Sequence, residues 1–306
     1  MSKAAKQLLE LDKTDFRILQ VIEVGMRTAE YVSVDDIVAL SRIGPNIIIN
    51  CLDKLHYKEL IFRWKGAYIG YQLTHHGYDV LAFRVLSERD SVIALGQELG
   101  KGKESDVLIG YDEDENELVV KIHRVGRPSF TRSKKLRGYI GGRGHINWLY
   151  RSRLSAQREY EGLKKARAVD AKVPQPIDAN RHVIVMNFFN GLDLVDFPYL
   201  EQPEKLFNDI ISELQKLVVE GGIIHGDLSE YNILITEEED FLLIDFPQFV
   251  AADHPNAREL LKRDVRNICN FFKKRYRVYS DPEEIVSIIM EEYETLHLKE
   301  PEKSGE

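Results

Sequence analysis

The sequence predicts an α+β protein in two parts: a small helical module closed by a hairpin, then a larger domain that is strand-rich at first and helix-rich after. Three observations carry this. Apolar residues recur at helical spacing up to about Leu55 and give way to two β-patterned runs; a polar break, Ser87-Glu-Arg-Asp-Ser91, follows; beyond it β-patterned runs come first and helical ones dominate from Glu204 onward. With 306 residues, 43% apolar and 30% charged, the chain suits two globular domains and not a disordered or fibrous polymer.

Phe16, Leu19, Ile22 and Met26 mark a first helix, and Ser33-Val-Asp-Asp36 offers a capping box for a second. After a tight turn at Arg42 to Gly44, Pro45 is suited to open a third helix, with Ile48, Leu52 and Leu55 on one face. Leu60 to Leu73 reads as two strands around a Lys65-Gly66 turn. Helix, helix, turn, helix and hairpin is the order of a winged helix over residues 1–86; a helical packing module without a ligand is the plainer alternative. The third helix presents Ile47, Ile48 and Ile49, with Asn46, Asn50 and Lys54 as its polar residues. Base readout wants more hydrogen-bonding side chains than that, so sequence-specific duplex DNA is not an expected partner.

Residues 87–91 read as a linker. Val92 to Leu99, Asp106 to Tyr111 and a run ending Val119-Val-Lys-Ile122 read as strands, the last two joined by an acidic turn from Asp112 to Asn116. Arg151 to Ala168 is helical in pattern. Pro174 and Pro176 mark a loop, His182 to Met186 a strand and Glu204 to Glu220 a helix; Asn232 to Ile235 and Phe241 to Ile244 are short strands before a helical remainder.

The longest apolar stretches fall far short of a bilayer-spanning segment, and the N-terminus lacks the apolar core of a secretory signal, so the cytoplasm is the expected compartment. Cys51 and Cys269 are the only cysteines; far apart, they support neither a disulfide framework nor a zinc site and are expected to be buried thiols. The net charge of −8 hides a segregation: Leu118 to Arg158 holds eleven Lys and Arg and no acid, so subtracting that +11 leaves −19 on the rest. A basic surface on an acidic molecule follows.

Gly100-Lys101-Gly102-Lys103-Glu104-Ser105 lies between two predicted strands, where glycines admit phosphate oxygens to backbone amides; a plain hairpin turn is the alternative. Lys121, near the end of the next strand, could hold nucleotide phosphates if a helical carboxylate such as Glu159 fixed it; otherwise the two are an ordinary surface pair. The stronger signal is His225-Gly-Asp-Leu-Ser-Glu-Tyr-Asn232 followed by Leu243-Ile-Asp-Phe246. An acid (Asp227), an amide five residues on (Asn232) and a carboxylate thirteen further (Asp245) are the parts phosphoryl transfer needs: a group for the attacking hydroxyl and hard oxygens for magnesium.

With these residues in view, the chain resembles the Rio atypical protein kinases over about residues 90–295, most specifically in His225 to Leu234 and in Ile244-Asp-Phe-Pro-Gln248. The winged helix, the Gly-Lys-Gly-Lys-Glu-Ser-Asp loop and His254-Pro-Asn-Ala257 point to the second Rio subfamily, and the length to an archaeal member. The resemblance implies a bilobal kinase-like domain, with an N-lobe over residues 92–189 containing a basic loop at 126–147 and a C-lobe over 190–306. It implies ATP with magnesium (manganese being possible), a Lys121–Glu159 pair, Asp227 as catalytic acid, and Asn232 and Asp245 as metal ligands. It also implies phosphate contacts at Ser105, a hinge at Met186, Asn187 and Phe189 for adenine, and phosphate acceptance by Asp245 itself.

Departures from ordinary protein kinases bear on function. His225-Gly226-Asp227 lacks the usual arginine, Asp245-Phe246-Pro247 replaces Asp-Phe-Gly, and no Ala-Pro-Glu follows. Those parts build a peptide-docking surface, so ATP hydrolysis and autophosphorylation are expected over phosphorylation in trans. Gly126 to Gly144 mixes Arg and Lys with Gly and Tyr, which suits a segment that folds on a phosphate backbone; a solvated loop is the alternative. Its Ser129, Thr131 and Ser133 are candidate acceptors. The resemblance implies an assembling small ribosomal subunit and its rRNA as partner, through this loop and the winged helix. Two rivals are a small-molecule phosphotransferase of the aminoglycoside or choline type and a nucleotide-sensing DNA-binding regulator.

Overall fold

The computed structural model describes residues 8, 10–125 and 148–297, which divide into two compact units. The first comprises residues up to Ala156 together with Ile177–Met186; the second comprises Gln157–Pro176 and the chain from Asn187 on. The basic tract from Gly126 to Gly144, with Ser129, Thr131 and Ser133, lies outside the described residues.

In the first unit, α1 (Lys13–Gly25) starts at Asp12, whose side chain caps Thr14 and Asp15 and forms a reciprocal capping box. β1 (Val32–Ser33) leads into α2 (Val34–Ser41), capped by the Ser33 hydroxyl, and α3 opens with the expected proline (Pro45–Tyr57). β2 (Ile61–Lys65) and β3 (Ile69–Leu73) pair around the Lys65-Gly66 turn, and β1 adds to the far edge of β3. A helix the sequence pattern did not disclose follows: α4 (His75–Glu88), capped by Thr74. It buries Tyr78, Asp79, Val80, Leu81, Ala82 and Phe83 in succession, so its apolar residues go round the whole circumference and no amphipathic stripe betrays it. The polar break begins at its last turn.

Beyond it, β4 (Ala94–Lys101), β5 (Ser105–Tyr111), β6 (Glu117–His123), β8 (Val183–Asn187) and β7 (Pro176–Asn180) form a five-stranded sheet in that order. Pro176, expected in a loop, opens a strand instead, at the sheet edge where a missing N–H is tolerated. Val120, Ile122, Val183 and Val185 join the α1–α4 side chains in one apolar cluster. Cys51 is half-buried and not fully buried as expected; even so, desolvation pushes its thiol up to about 11, while Cys269 is buried.

α5 (Trp148–Ala168) runs from the first unit into the second. The second unit adds β9 (Leu192–Asp193), α6 (Pro203–Val219), β10 (Ile223–Ile224), β11 (Ile233–Ile235), β12 (Phe241–Leu243), β13 (Val250–Ala251), α7 (Ala257–Tyr276) and α8 (Pro282–His297). Its core joins Phe207, Ile210 and Leu214 of α6 to Val265, Ile268 and Phe272 of α7, with Phe207 and Phe272 edge to face at 5.4 Å. Antiparallel pairing of β11 with β12 (Ile233↔Leu243, Ile235↔Phe241) sets Asn232 directly before one strand and Asp245 two residues past the other. Among the described residues no helix is long and apolar enough to cross a membrane.

Candidate active site

In the first unit the expected phosphate loop is shorter than the sequence suggested. Gly100 and Lys101 are still in β4, and Ser105 already begins β5, leaving Gly102, Lys103 and Glu104 as the turn. Gly102 N–H donates to the Ser105 carbonyl at 2.8 Å, and the Arg124 N–H to the Glu104 carbonyl at 2.6 Å. β4 is bulged at two places before this turn, between Leu95 and Glu98 and between Glu98 and Gly100, which interrupts its ladder with β5. The register Ser105↔His123 and Val107↔Lys121 puts Ser105 and the half-buried Lys121 on the same face of β5–β6. Residues of the opposite face, Val120 and Ile122, belong to the apolar cluster shared with α4. Met186 is buried at the end of β8.

In the second unit, Asn187 spends its N–H on the Gln175 carbonyl at 3.0 Å, so a base contact from this stretch would use other backbone groups; the half-buried Phe189 accepts from the Gly191 N–H through its carbonyl.

The catalytic-type loop is built around His225. This side chain is fully buried, packs 4.4 Å from the Phe246 ring, accepts the Asp227 N–H at Nδ1 (3.3 Å) and places Nε2 3.0 Å from the Ile244 carbonyl. That pattern fits the neutral tautomer with its proton on Nε2. Burial drives its pKa below the ordinary value, outweighing the Ile244 carbonyl and the acids Asp245, Asp227 and Glu159, which favour the charged form. Gly226 has φ +79°, and a Cβ there would sit 2.5 Å from the Gln248 carbonyl oxygen, so only glycine lets the loop pass under the Phe246–Phe249 segment.

Asp227, Asn232 and Asp245 converge. The Asn232 Nδ2 donates to the Asp227 carbonyl at 2.8 Å, and the Ile244 N–H to the Asn232 carbonyl at 3.0 Å. With its nitrogen so engaged, the Asn232 amide has its Oδ1 on offer to a cation. Asp245 has φ +71°, in the left-handed region that costs an ordinary side chain, a common mark of functional positions. The Asp227 carboxyl is exposed, with the Arg263 guanidinium 3.9 Å away.

Glu159 is buried on α5. One turn on, Gly162 lets the Phe246–Phe249 segment touch the helix: a Cβ would fall 2.9 Å from the Phe249 ring and 3.1 Å from Phe246 Cβ. Arg158 donates to the Phe249 carbonyl at 2.8 Å. α5 thus holds Glu159 and the segment carrying Asp245 in one frame.

The sequence reading missed what supports the loop from below. Asp264 of α7, fully buried, accepts N–H groups from Gly226 (2.7 Å) and Leu228 (3.0 Å); Asn267 donates to the Leu228 carbonyl at 2.9 Å, and Arg263 to the Gly226 carbonyl. The signal was available: Asp264 lies on the same stripe as Leu261, Val265 and Ile268, and an acid on an apolar stripe requires a buried partner.

Among the described residues no three or more His, Cys, Asp or Glu side chains cluster as a metal cage. Magnesium held with nucleotide phosphates needs only one or two protein oxygens, and the Asn232 amide with the Asp245 carboxylate has that donor chemistry.

The RIO domain family model matches residues 106–285, and the Rio2 N-terminal model matches residues 8–89. A Rio2-type serine/threonine-protein kinase of Methanocaldococcus jannaschii is 41% identical over 265 residues, which span 85% of this chain and 96% of that protein. This chain belongs to the Rio2 family. The rio2 kinase of Dictyostelium discoideum is 41% identical over 271 residues, 89% of this chain but 52% of its own length, so the chain spans about half of that relative. The crystal structure of the Rio2 kinase from Chaetomium thermophilum, in a complex with ADP, Mg2+ and phosphoaspartate, superposes with a TM-score of 0.81 at 33% identity, covering 96% of this chain and 93% of that one. The Rio2 fold accounts for the order of elements: a helical module with a hairpin wing, then a kinase-type domain.

Proposed function

We propose that this chain is an ATP- and magnesium-dependent atypical serine/threonine kinase and ATPase that autophosphorylates and acts in maturation of the small ribosomal subunit in the cytoplasm. The observation that carries the reading is the set of Asp227, Asn232 and Asp245, in which the Asn232 side chain bonds the Asp227 carbonyl, the Asn232 carbonyl bonds the Ile244 N–H next to Asp245, and Asp264 holds the loop from below. Lys121 binds and orients the nucleotide phosphates, with Ser105 and the amides around Gly102 closing on them. Met186, Asn187 and Phe189 receive the adenine. Bound magnesium neutralises charge developing between the nucleotide phosphates, held by Asn232 and Asp245. Asp227 orients, and takes the proton from, an attacking hydroxyl or water.

The solved Chaetomium complex supports a more specific course. A carboxylate oxygen of Asp245 attacks the γ-phosphorus, the bond to the β-phosphate oxygen breaks, and ADP leaves. Water aligned by Asp227 then cleaves the acyl phosphate, releasing inorganic phosphate and regenerating Asp245. The assembling particle and its rRNA are engaged by the basic tract and the winged helix through phosphate contacts, which makes binding steeply salt-dependent.

The test incubates wild type, Asp227→Ala and Asp245→Ala with γ-labelled ATP and magnesium, scoring free phosphate and protein-bound label separately. Hydrolysis lost in both variants and stimulated by small-subunit particles is the expected result. Label that is entirely acid-stable serine phosphate would remove the aspartyl-phosphate course. Efficient transfer to an added protein with little free phosphate would make a trans kinase of it instead.

A further inference from the structure

The outer face of a small antiparallel sheet ordinarily meets water with polar side chains. On the β1–β3–β2 sheet it carries aromatic rings. Phe62 and Trp64 alternate along β2 with the buried Ile61, so both point away from the core. Tyr31, just before β1, lies nearly flat on the Trp64 indole, with centroids 5.1 Å apart and 12° between planes. Tyr68, in the turn, meets the same indole edge-on at 5.2 Å, and Phe62 lies 6.3 Å from Tyr31.

Two glycines clear the space for these rings. A Cβ at Gly70 would come within 2.7 Å of Tyr31 and 2.9 Å of Tyr68, and one at Gly66 would fall inside the Trp64 ring. The Tyr68 hydroxyl donates to the Tyr31 carbonyl at 2.9 Å and locks the rim. The rings hold one another and are still open, Phe62 being 46% and Tyr68 47% exposed.

Leu60 to Thr74 contains Arg63 and Lys65 and no acid. Arg63 is committed to Asp53, while Lys65 is exposed at the turn beside Trp64. Beside the wing, α3 turns Ile47 and Ile49 outward, which offers a duplex groove few hydrogen bonds.

We propose that this cluster is a stacking platform for unpaired nucleobases of single-stranded RNA, with Lys65 on the adjoining phosphate. It rests on the reading that RNA is a partner and narrows it to unpaired bases at the wing. Parallel ring faces continue a base stack, and the wing strands themselves carry no acid; of the acids beside them, Glu30 is engaged by Tyr31 and Asp53 by Arg63, which leaves Lys65 as the charge facing a phosphate.

The test measures anisotropy of a labelled oligouridylate of about a dozen nucleotides with the full chain, beside inorganic polyphosphate and a blunt RNA duplex as competitors. Trp64→Ala and Phe62→Ala are each expected to weaken the oligonucleotide about tenfold, Trp64→Phe much less, and polyphosphate binding not at all. Lys65→Ala should lower the salt slope by about one. Circular dichroism melting checks the fold; if Trp64→Ala unfolds, Phe62→Ala decides. Unchanged oligonucleotide affinity in both alanine variants would overturn the platform and leave an RNA partner standing. A wild type that binds neither oligonucleotide nor duplex would overturn both. Variants that bind oligonucleotide normally but lose small-subunit particles would assign the surface to a protein, against the proposal.

Discussion

The Asp264 carboxylate receives the Gly226 backbone N–H at 2.7 Å, and its second oxygen receives that of Leu228, so one buried side chain sets the curvature of the loop that presents Asp227. Asp264→Asn keeps the shape but turns an NH2 group toward an N–H, losing one acceptor at a cost of roughly 1–3 kcal/mol. The expected outcome is a folded protein whose kcat for ATP hydrolysis falls at least about tenfold with KM for ATP little changed. Steady-state kinetics beside a thermal melt would check it; an unchanged kcat would mean the loop holds its shape without this bond.

Asp264 also gives stability a pH dependence. Desolvation pushes it up to about 7 from 3.8, against the lowering by its two amide bonds and Arg263. Between those values the folded protein keeps a proton that the unfolded chain has released. The contribution of this group to stability therefore falls as pH rises through the window, by up to about 1.4 kcal/mol per pH unit. His225 and His182, which burial holds below 6.5, act in the opposite sense and cost stability as pH drops beneath that value. Subtracting the melting-temperature profile of Asp264→Asn from that of wild type isolates the first effect: wild type should lose ground to the variant from pH 4 to 7. A flat difference would show that Asp264 does not titrate there.

Asp227→Asn, Asn232→Ala and Asp245→Asn should each lower phosphoryl transfer by about 100-fold or more, and their effects should fall short of additive because Asn232 bonds the Asp227 carbonyl through its side chain and the Ile244 N–H, next to Asp245, through its backbone. Nucleotide affinity should split them: without magnesium, ADP binding by calorimetry should be unaffected in Asn232→Ala, whereas magnesium should no longer strengthen it. A magnesium effect that survives would take Asn232 out of the metal site.

Arg124 lies between Asp79, at 2.6 and 2.8 Å, and Asp106, at 2.9 Å, while His182 sits 2.8 Å from Asp79. Burial alone would raise the Asp79 carboxyl, but His182 and Arg124 outweigh it and hold it below its ordinary value. Arg124→Met fills the volume yet strands two buried acids, at an expected cost of about 3–5 kcal/mol. Paired with Asp79→Leu the loss should be smaller than the single effects summed, as denaturant titration of the cycle would show. Strict additivity would mean that the pair is not coupled.

The sequence disclosed the elements that obey one-sided burial: α1, α2 and α3 by their spacing and caps, β2 and β3 by the turn between them. It did not disclose α4, because a helix buried all round loses its period, nor β7, because Pro176 reads as a breaker unless the strand is known to lie at an edge. The candidate site was likewise legible only in part. Asp227, Asn232 and Asp245 announce themselves by type and spacing, whereas Asp264, Asn267 and Gly162 act through the backbone they touch or admit. Those relations exist only once α7 and α5 are packed.

The apolar cluster that runs unbroken from α1–α4 into Val120, Ile122, Val183 and Val185 makes the helical module a wall of the sheet that carries Lys121. Excision at the polar break would strip that wall, uncover the strand backs and leave Arg124 facing Asp106 without Asp79. The N-terminal module is thus no detachable adaptor: a lineage that shed it would have to resurface the sheet before that sheet could hold Lys121 in place.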